Sequence, residues 1–250
     1  MDLDDRVDRQ RQYHDARLVA GAGARAQDKY YVSVAMAQSA PNASIAERAQ
    51  PGGVRLELGC GTGENLERLL SNNSFVAYDI DVSGAAMSAA RARLAAFKPL
   101  PVLDGMDANR MPFKDGIFDF CFGSGVIHHL SLPDAVYELR RILKTNGRLM
   151  FLEPLATNPV IEFYRRLTPR ARAPDETPLT AKHLAAIRAA FPRVRLEYFG
   201  FLTLGCIAFG WWPALQRAAT ALATSLDRIV FAMLGGWRLA WVVVIYAERD

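Results

Sequence analysis

The segment Leu56 to Leu66, LELGCGTGENL, sets glycines at positions 59, 61 and 63 between an apolar, acid-bearing run and a helical pattern. Glycine has no Cβ, so it allows a sharp turn with positive φ and lets a ligand lie against bare backbone N–H groups at a helix N-terminus. The order of strand, tight turn and helix start predicts a cradle for a small molecule. Dinucleotide-binding turns space their glycines G-x-G-x-x-G. Here the spacing is G-x-G-x-G, with Glu57 two residues ahead of the first glycine, which disfavours a nicotinamide-dependent oxidoreductase.

Beyond the loop helix, Phe75 to Asp81 reads as a second strand ending in two acids, Asp79 and Asp81. An acid at the end of a second strand can accept ribose hydroxyls, as in dinucleotide-binding folds; capping of the helix at Ser83 to Leu94 is the alternative role. Phe118 to Phe122 is apolar apart from Asp119, as expected of a strand buried on both faces of a parallel sheet. It opens into Gly123-Ser124-Gly125-Val126-Ile127-His128-His129. Ligands of open α/β sheets gather at the carboxyl ends of strands, so these residues belong where cofactor and substrate would meet. A histidine there can act as general base on a substrate hydroxyl, or can simply pack. A helix at Pro133 to Leu143 follows, then a turn in which Asn146 tolerates the left-handed conformation, and a strand ending at Glu153-Pro154.

In order and spacing, these motifs over residues 54 to 154 resemble the class I S-adenosylmethionine (SAM) dependent methyltransferases, in their broad small-molecule and lipid-quinone branch. The run Asp107-Ala108, then Met111-Pro112-Phe113, then Asp115 to Asp119 is similar to a characteristic stretch of that family. The resemblance implies an α/β fold: a Rossmann-like, seven-stranded, mostly parallel sheet with helices on both faces, binding SAM. It implies that Glu57 and the backbone at Gly59 and Ser124 hold the methionine part, with Cys60, Gly61 and Gly63 of the glycine loop also binding the cofactor. Asp81 takes the ribose, with Asp79 in reserve, and Asp107 and the amide of Ala108 meet the adenine. Catalytic candidates are His128, His129 and Glu153. A SAM-binding scaffold without chemistry is the competing expectation.

The first fifty residues carry helical patterns at Arg6 to Val19 and Ala24 to Met36, expected to form a lid with Tyr13, His14, Tyr30 and Tyr31 toward the pocket. Residues 51–250 make the SAM-binding domain. Cys60, Cys121 and Cys206 show no metal-ligand spacing, and no metal site is assigned. With a charged N-terminus lacking a signal-peptide core, they suggest a reduced, cytoplasmic protein.

Between strands at Arg195 to Phe199 and Ala240 to Ala247 lies an apolar helical insertion, 200–239. Tyr198 to Gln216 holds no charge, but the return of the last strand to the sheet and the interrupting Gly and Pro argue against a single membrane crossing. In the following helix Arg217, Thr220, Thr224, Asp227 and Arg228 form one narrow polar stripe. The apolar remainder must be covered by the core, a second subunit as in a homodimer, a greasy substrate or a bilayer surface. A net charge of +4 and the cluster Arg165, Arg166, Arg170 and Arg172 favour an anionic surface, such as the inner face of a membrane. No nucleic-acid recognition module is visible.

Overall fold

The computed structural model describes residues 3–19, 52–71, 75–168 and 176–250. One sheet contains β1 (Val54–Leu58), β2 (Val76–Asp81), β3 (Val102–Gly105), β4 (Phe118–Ser124), β5 (Leu143–Pro154), β6 (Arg193–Phe199) and β7 (Val242–Glu248). Their order is β3-β2-β1-β4-β5-β7-β6. β7 runs antiparallel to both β5 and β6, so β6 points the same way as β1 to β5. The sequence order reverses between β1 and β4, which opens a crevice at their carboxyl ends.

The central strands of the sheet are buried on both faces because they are apolar at successive positions. Val243 and Ile245 join one cluster, with Leu56, Leu58, Phe118 and Phe151. Val244, between them, joins the other, with Leu66, Phe75, Phe122 and Met150. Alternate residues of a strand face opposite sides, so an unbroken apolar run fills two layers at once. Each fully buried large side chain contributes roughly 1.5–3 kcal/mol of transfer free energy. Asn146 takes φ 60 in the turn within β5, as its position between helix and strand predicts.

The helices are α1 (Leu3–Val19), α2 (Glu64–Leu70), α3 (Gly84–Leu94), α4 (Leu132–Ile142), α5 (Pro159–Leu167), α6 (Ala181–Ala190), α7 (Leu202–Gly205) and α8 (Pro213–Ala232). Ser83 caps α3, its side chain accepting from the Ala86 amide. The Asp15 carboxylate of α1 accepts from Ser83 Oγ at 2.6 Å and the Ala85 amide at 3.1 Å, and Arg11 donates to the Val82 carbonyl. Those hydrogen bonds hold Asp15 below the usual carboxylate range, led by the one from Ser83. The second expected lid helix, with Tyr30 and Tyr31, lies outside the described residues, as do Arg170 and Arg172.

Two expectations are corrected. Arg165 is buried, donating to the Leu155 carbonyl and pairing with Glu162, so it is no part of a surface charge cluster. The stripe on α8 is split: Thr220 and Asp227 are each 3% exposed and turn inward, Arg217 and Arg228 are exposed, and the apolar Leu222 and Ile229 are 64% and 62% exposed. Asp227 explains the inward turn of that side. Its carboxylate accepts from the amides of Phe201, Leu202 and Thr203 and from Thr203 Oγ1, capping α7. Backbone donors at a helix start need partners, and one inward acid supplies them. No described helix is long and apolar enough to cross a membrane.

Candidate active site

The glycine turn works by two different constraints. Gly59 has φ 68, and a Cβ there would stand 2.8 Å from Val126 Cγ2, so the turn after β4 can close on it only because the side chain is missing. Gly61 has φ 53, and a Cβ there would meet nothing within 4 Å. It borders a cleft of about 270 Å³ at the β1/β4 switch point. The bare backbone of Gly61 thus faces a space that a flat, polar ligand can fill.

Six of the expected cofactor residues line that cleft: Gly59, Gly61, Asp81, Asp107, Ala108 and Ser124. Asp81 is held by its own loop, with Oδ2 accepting from the Gly61 amide at 2.9 Å and Oδ1 from the Ser83 amide at 2.8 Å. Asp107 Oδ1 accepts from the amide and side chain of Asn109, and Asn109 in turn accepts from the Ser131 amide. Asp107 Oδ2 has no partner among the described residues.

Glu57, Cys60, Gly63 and Asp79 do not border the cleft. Glu57 and Asp79 are register partners on β1 and β2, buried side by side behind the loop. Burial pushes both carboxyls up, Glu57 well above its ordinary range. Asp79 rises to about 8, chiefly through burial, and the Asp81 charge adds to the rise. Asp79 is wholly buried away from the cleft, whereas Asp81 borders it. Asn65 donates to Glu57 Oε1, tying α2 to the loop. Gly63 packs against Ala90 and Leu94 of α3.

Of the catalytic candidates, His129 borders the cleft. His128 and Glu153 lie behind it. Glu153 is fully buried, with Oε1 accepting from the amides of Val126 and Ile127 and Oε2 lying 2.6 Å from His128 Nδ1. So engaged, Glu153 holds the turn after β4 from outside the cleft lining. His128 Nε2 lies 3.7 Å from Glu176. Ligating atoms of His128, His129 and Glu176 fall within 4.8 Å of one another, a donor set that suits a divalent cation although sequence spacing points to no metal.

α1 closes one side of the cleft with Arg6, Gln10 and His14. The His14 ring meets His129 edge-on, with centroids 5.8 Å apart. Tyr13, expected toward the pocket, does not border it. Sequence reasoning missed Asp15, Asn109 and Glu176. Asn109 follows Asp107 at the two-residue spacing of a local side-chain turn, a usable signal, whereas Asp15 and Glu176 reach their partners only through tertiary contacts.

Residues 56–151 match the family described as "Methyltransferase domain". The 2-phytyl-1,4-naphtoquinone methyltransferase of Trichormus variabilis is 33% identical over 111 residues, which cover 42% of this chain and 48% of that protein. The malonyl-[acyl-carrier protein] O-methyltransferase of Erwinia pyrifoliae is 34% identical over 110 residues, 43% of this chain and 40% of its own. The chain thus matches about half the length of these curated relatives or less. Among solved structures, geranyl diphosphate C-methyltransferase from Streptomyces coelicolor, in complex with Mg2+, geranyl diphosphate and S-adenosyl-L-homocysteine, superposes with a TM-score of 0.62 at 14% identity, covering 85% of this chain and 79% of that one. A phosphoethanolamine N-methyltransferase of Haemonchus contortus in complex with SAM gives 0.61 at 16% identity, covering 84% and 52%. Residues 56–151 therefore carry a methyltransferase domain, on a sheet whose fold is shared with solved SAM-dependent methyltransferases.

Proposed function

We propose that the protein transfers a methyl group from SAM to a small or lipid-like acceptor in the cleft at the β1/β4 switch point. The observation that carries this reading is Gly61, whose missing side chain leaves open backbone on the same cleft as Asp81, Asp107 and Ser124. SAM bound there supplies an electrophilic methyl group for in-line transfer to the acceptor. Asp81, pinned by the Gly61 and Ser83 amides, accepts the ribose hydroxyls. Asp107 and the Ala108 amide receive the adenine, and the backbones of Gly59 and Ser124 receive the methionine part. Glu57, Cys60 and Gly63 support the loop from behind.

His129 removes the proton of a hydroxyl acceptor, while His128, held by Glu153, fixes the turn that presents it. Holding donor and acceptor in line, away from water, supplies much of the acceleration in such a transfer. The segment 1–50 acts as a lid on the domain 51–250, a reading supported by the α1 residues on the cleft. The protein works in the cytoplasm, at the membrane face for a lipid-like acceptor. The quinone and geranyl diphosphate substrates named for its relatives favour an acceptor with an apolar tail.

Calorimetric titration with SAM, with NAD as control and Asp81→Ala alongside, tests the cofactor site. Micromolar SAM binding weakened by the substitution is expected, and no SAM binding by folded protein overturns the reading. Formation of S-adenosylhomocysteine with prenylated quinone or phenol acceptors then tests catalysis. Tight binding with no turnover across that panel favours the scaffold.

A further inference from the structure

We infer that the outward face of α8, with the tryptophans before it, is a docking surface for an anionic lipid bilayer, and that it seats the carboxyl edge of the sheet against the membrane. Leu215, Leu222, Leu226 and Ile229 recur at spacings of seven, four and three, which keeps them on one stripe of a helix. All four are exposed. Trp211 is 84% and Trp212 60% exposed at the start of the same helix. Exposed apolar residues in a contiguous patch mark an interaction surface, and tryptophan suits the headgroup level of a bilayer.

Charge identifies the occupant. Between residues 200 and 241 the charged residues are Arg217, Asp227, Arg228 and Arg238. Asp227 is buried in its capping role, so every exposed charge of the insertion is an arginine. An insertion that exposes apolar side chains and no charge other than arginine suits an anionic lipid surface. A second copy of the same face would set arginine against arginine, with no exposed acid in the insertion to pair them. None of these residues borders the cleft, so a substrate held there does not cover them.

Topology gives the surface its purpose. β6 runs parallel to β1, β4 and β5, so a segment that leaves the end of β6 emerges at the carboxyl edge, where the cleft opens. α5 leaves the end of β5 at that same edge and also turns apolar side chains outward, Phe163 and Leu167. The two elements meet where Ile161 of α5 and Leu204 of α7 pack on Trp241 and Val242, and where Asn158 donates to the Leu239 carbonyl. The delivery of a bilayer-resident acceptor to the cleft rests on the methyltransferase reading, whereas the lipid surface stands without it.

The test is co-sedimentation of the full chain with vesicles of phosphatidylcholine alone and of phosphatidylcholine mixed with phosphatidylglycerol, without SAM. Preferential, salt-sensitive binding to the mixed vesicles is expected. It should weaken at least about tenfold in Trp211→Ser/Trp212→Ser and in Leu222→Ser/Ile229→Ser, since each change removes buried apolar area. SAM titration without vesicles checks that the variants are folded. Three outcomes overturn the inference: no binding to the mixed vesicles, variants that bind as well as the parent, or a dimer that these changes disperse. Lost SAM binding with intact vesicle binding counts against the methyltransferase reading alone.

Discussion

The glycine turn and the late insertion solve the same problem, joining a strand to a helix at the carboxyl edge of the sheet, with opposite arrangements of polarity. At the turn, acids are used close to where the chain places them: Asp81 binds the amides of Gly61 and Ser83, while Glu57 and Asp79 sink behind the loop among buried apolar residues. In the insertion, the acid Asp227 sinks and the leucines face out. A helix can therefore present its apolar stripe to solvent when a buried polar contact fixes its rotation. Amphipathic pattern identifies the stripes of a helix; which stripe faces inward depends on what the neighbouring backbone needs.

The substitution expected to disturb this arrangement most is Asp227→Ala. It strips acceptors from three amides and a hydroxyl at the start of α7. Leaving such buried donors without partners costs about 3 kcal/mol, read as a fall of about 6–12 °C in Tm. A change under about 1 kcal/mol would show that the rotation of α8 is set by something else.

Asp81→Ala acts on the other region and on ligand rather than fold. SAM affinity should fall about thirtyfold, equivalent to about 2 kcal/mol, with the circular dichroism spectrum retained. Unchanged affinity would move the ribose site elsewhere.

Asp79→Asn should be more stable than the parent at pH 8, read as a higher Tm. The Asp79 carboxyl titrates near 8 in the folded protein, against an ordinary value of 3.8. Between those values the folded state keeps a proton that the unfolded chain has lost, so stability declines as pH rises from 3.8 toward 8, then levels. The variant should lose that slope and gain nothing at pH 4. Thermal melts across pH check it, and a variant with the parent's slope would place the titration elsewhere.

The smallest effect separates the regions most cleanly. Leu222→Ser and Ile229→Ser should each change stability by less than about 0.5 kcal/mol. Leu58→Ala, at a wholly buried position of β1, should cost roughly 3 kcal/mol. Denaturant unfolding compares the three. A large cost at Leu222 would mean that the outward face is covered within the chain.

Much of the first region was legible because its determinants are local. The alternate glycines, Asp81 two residues before the cap of α3, and the apolar run of β4 each act within a few residues of where they stand. The exceptions are those set by distance. Glu153 reads as an acid at a strand end, yet it is consumed by the backbone of Val126 and Ile127, 27 and 26 residues upstream. Asp79 reads as equivalent to Asp81 until the pairing of β1 with β2 buries it beside Glu57.

What the sequence determined by itself is the order of elements, the glycine cradle and the bipartite pattern of α8, because φ preferences, side-chain alternation and helical period are properties of short segments. The tertiary structure decided which acid stays in the core, which histidine meets the cleft and which stripe of α8 faces out. Each of those choices depends on the loss of water around a charged or apolar group, and that loss is set by residues far away in the chain.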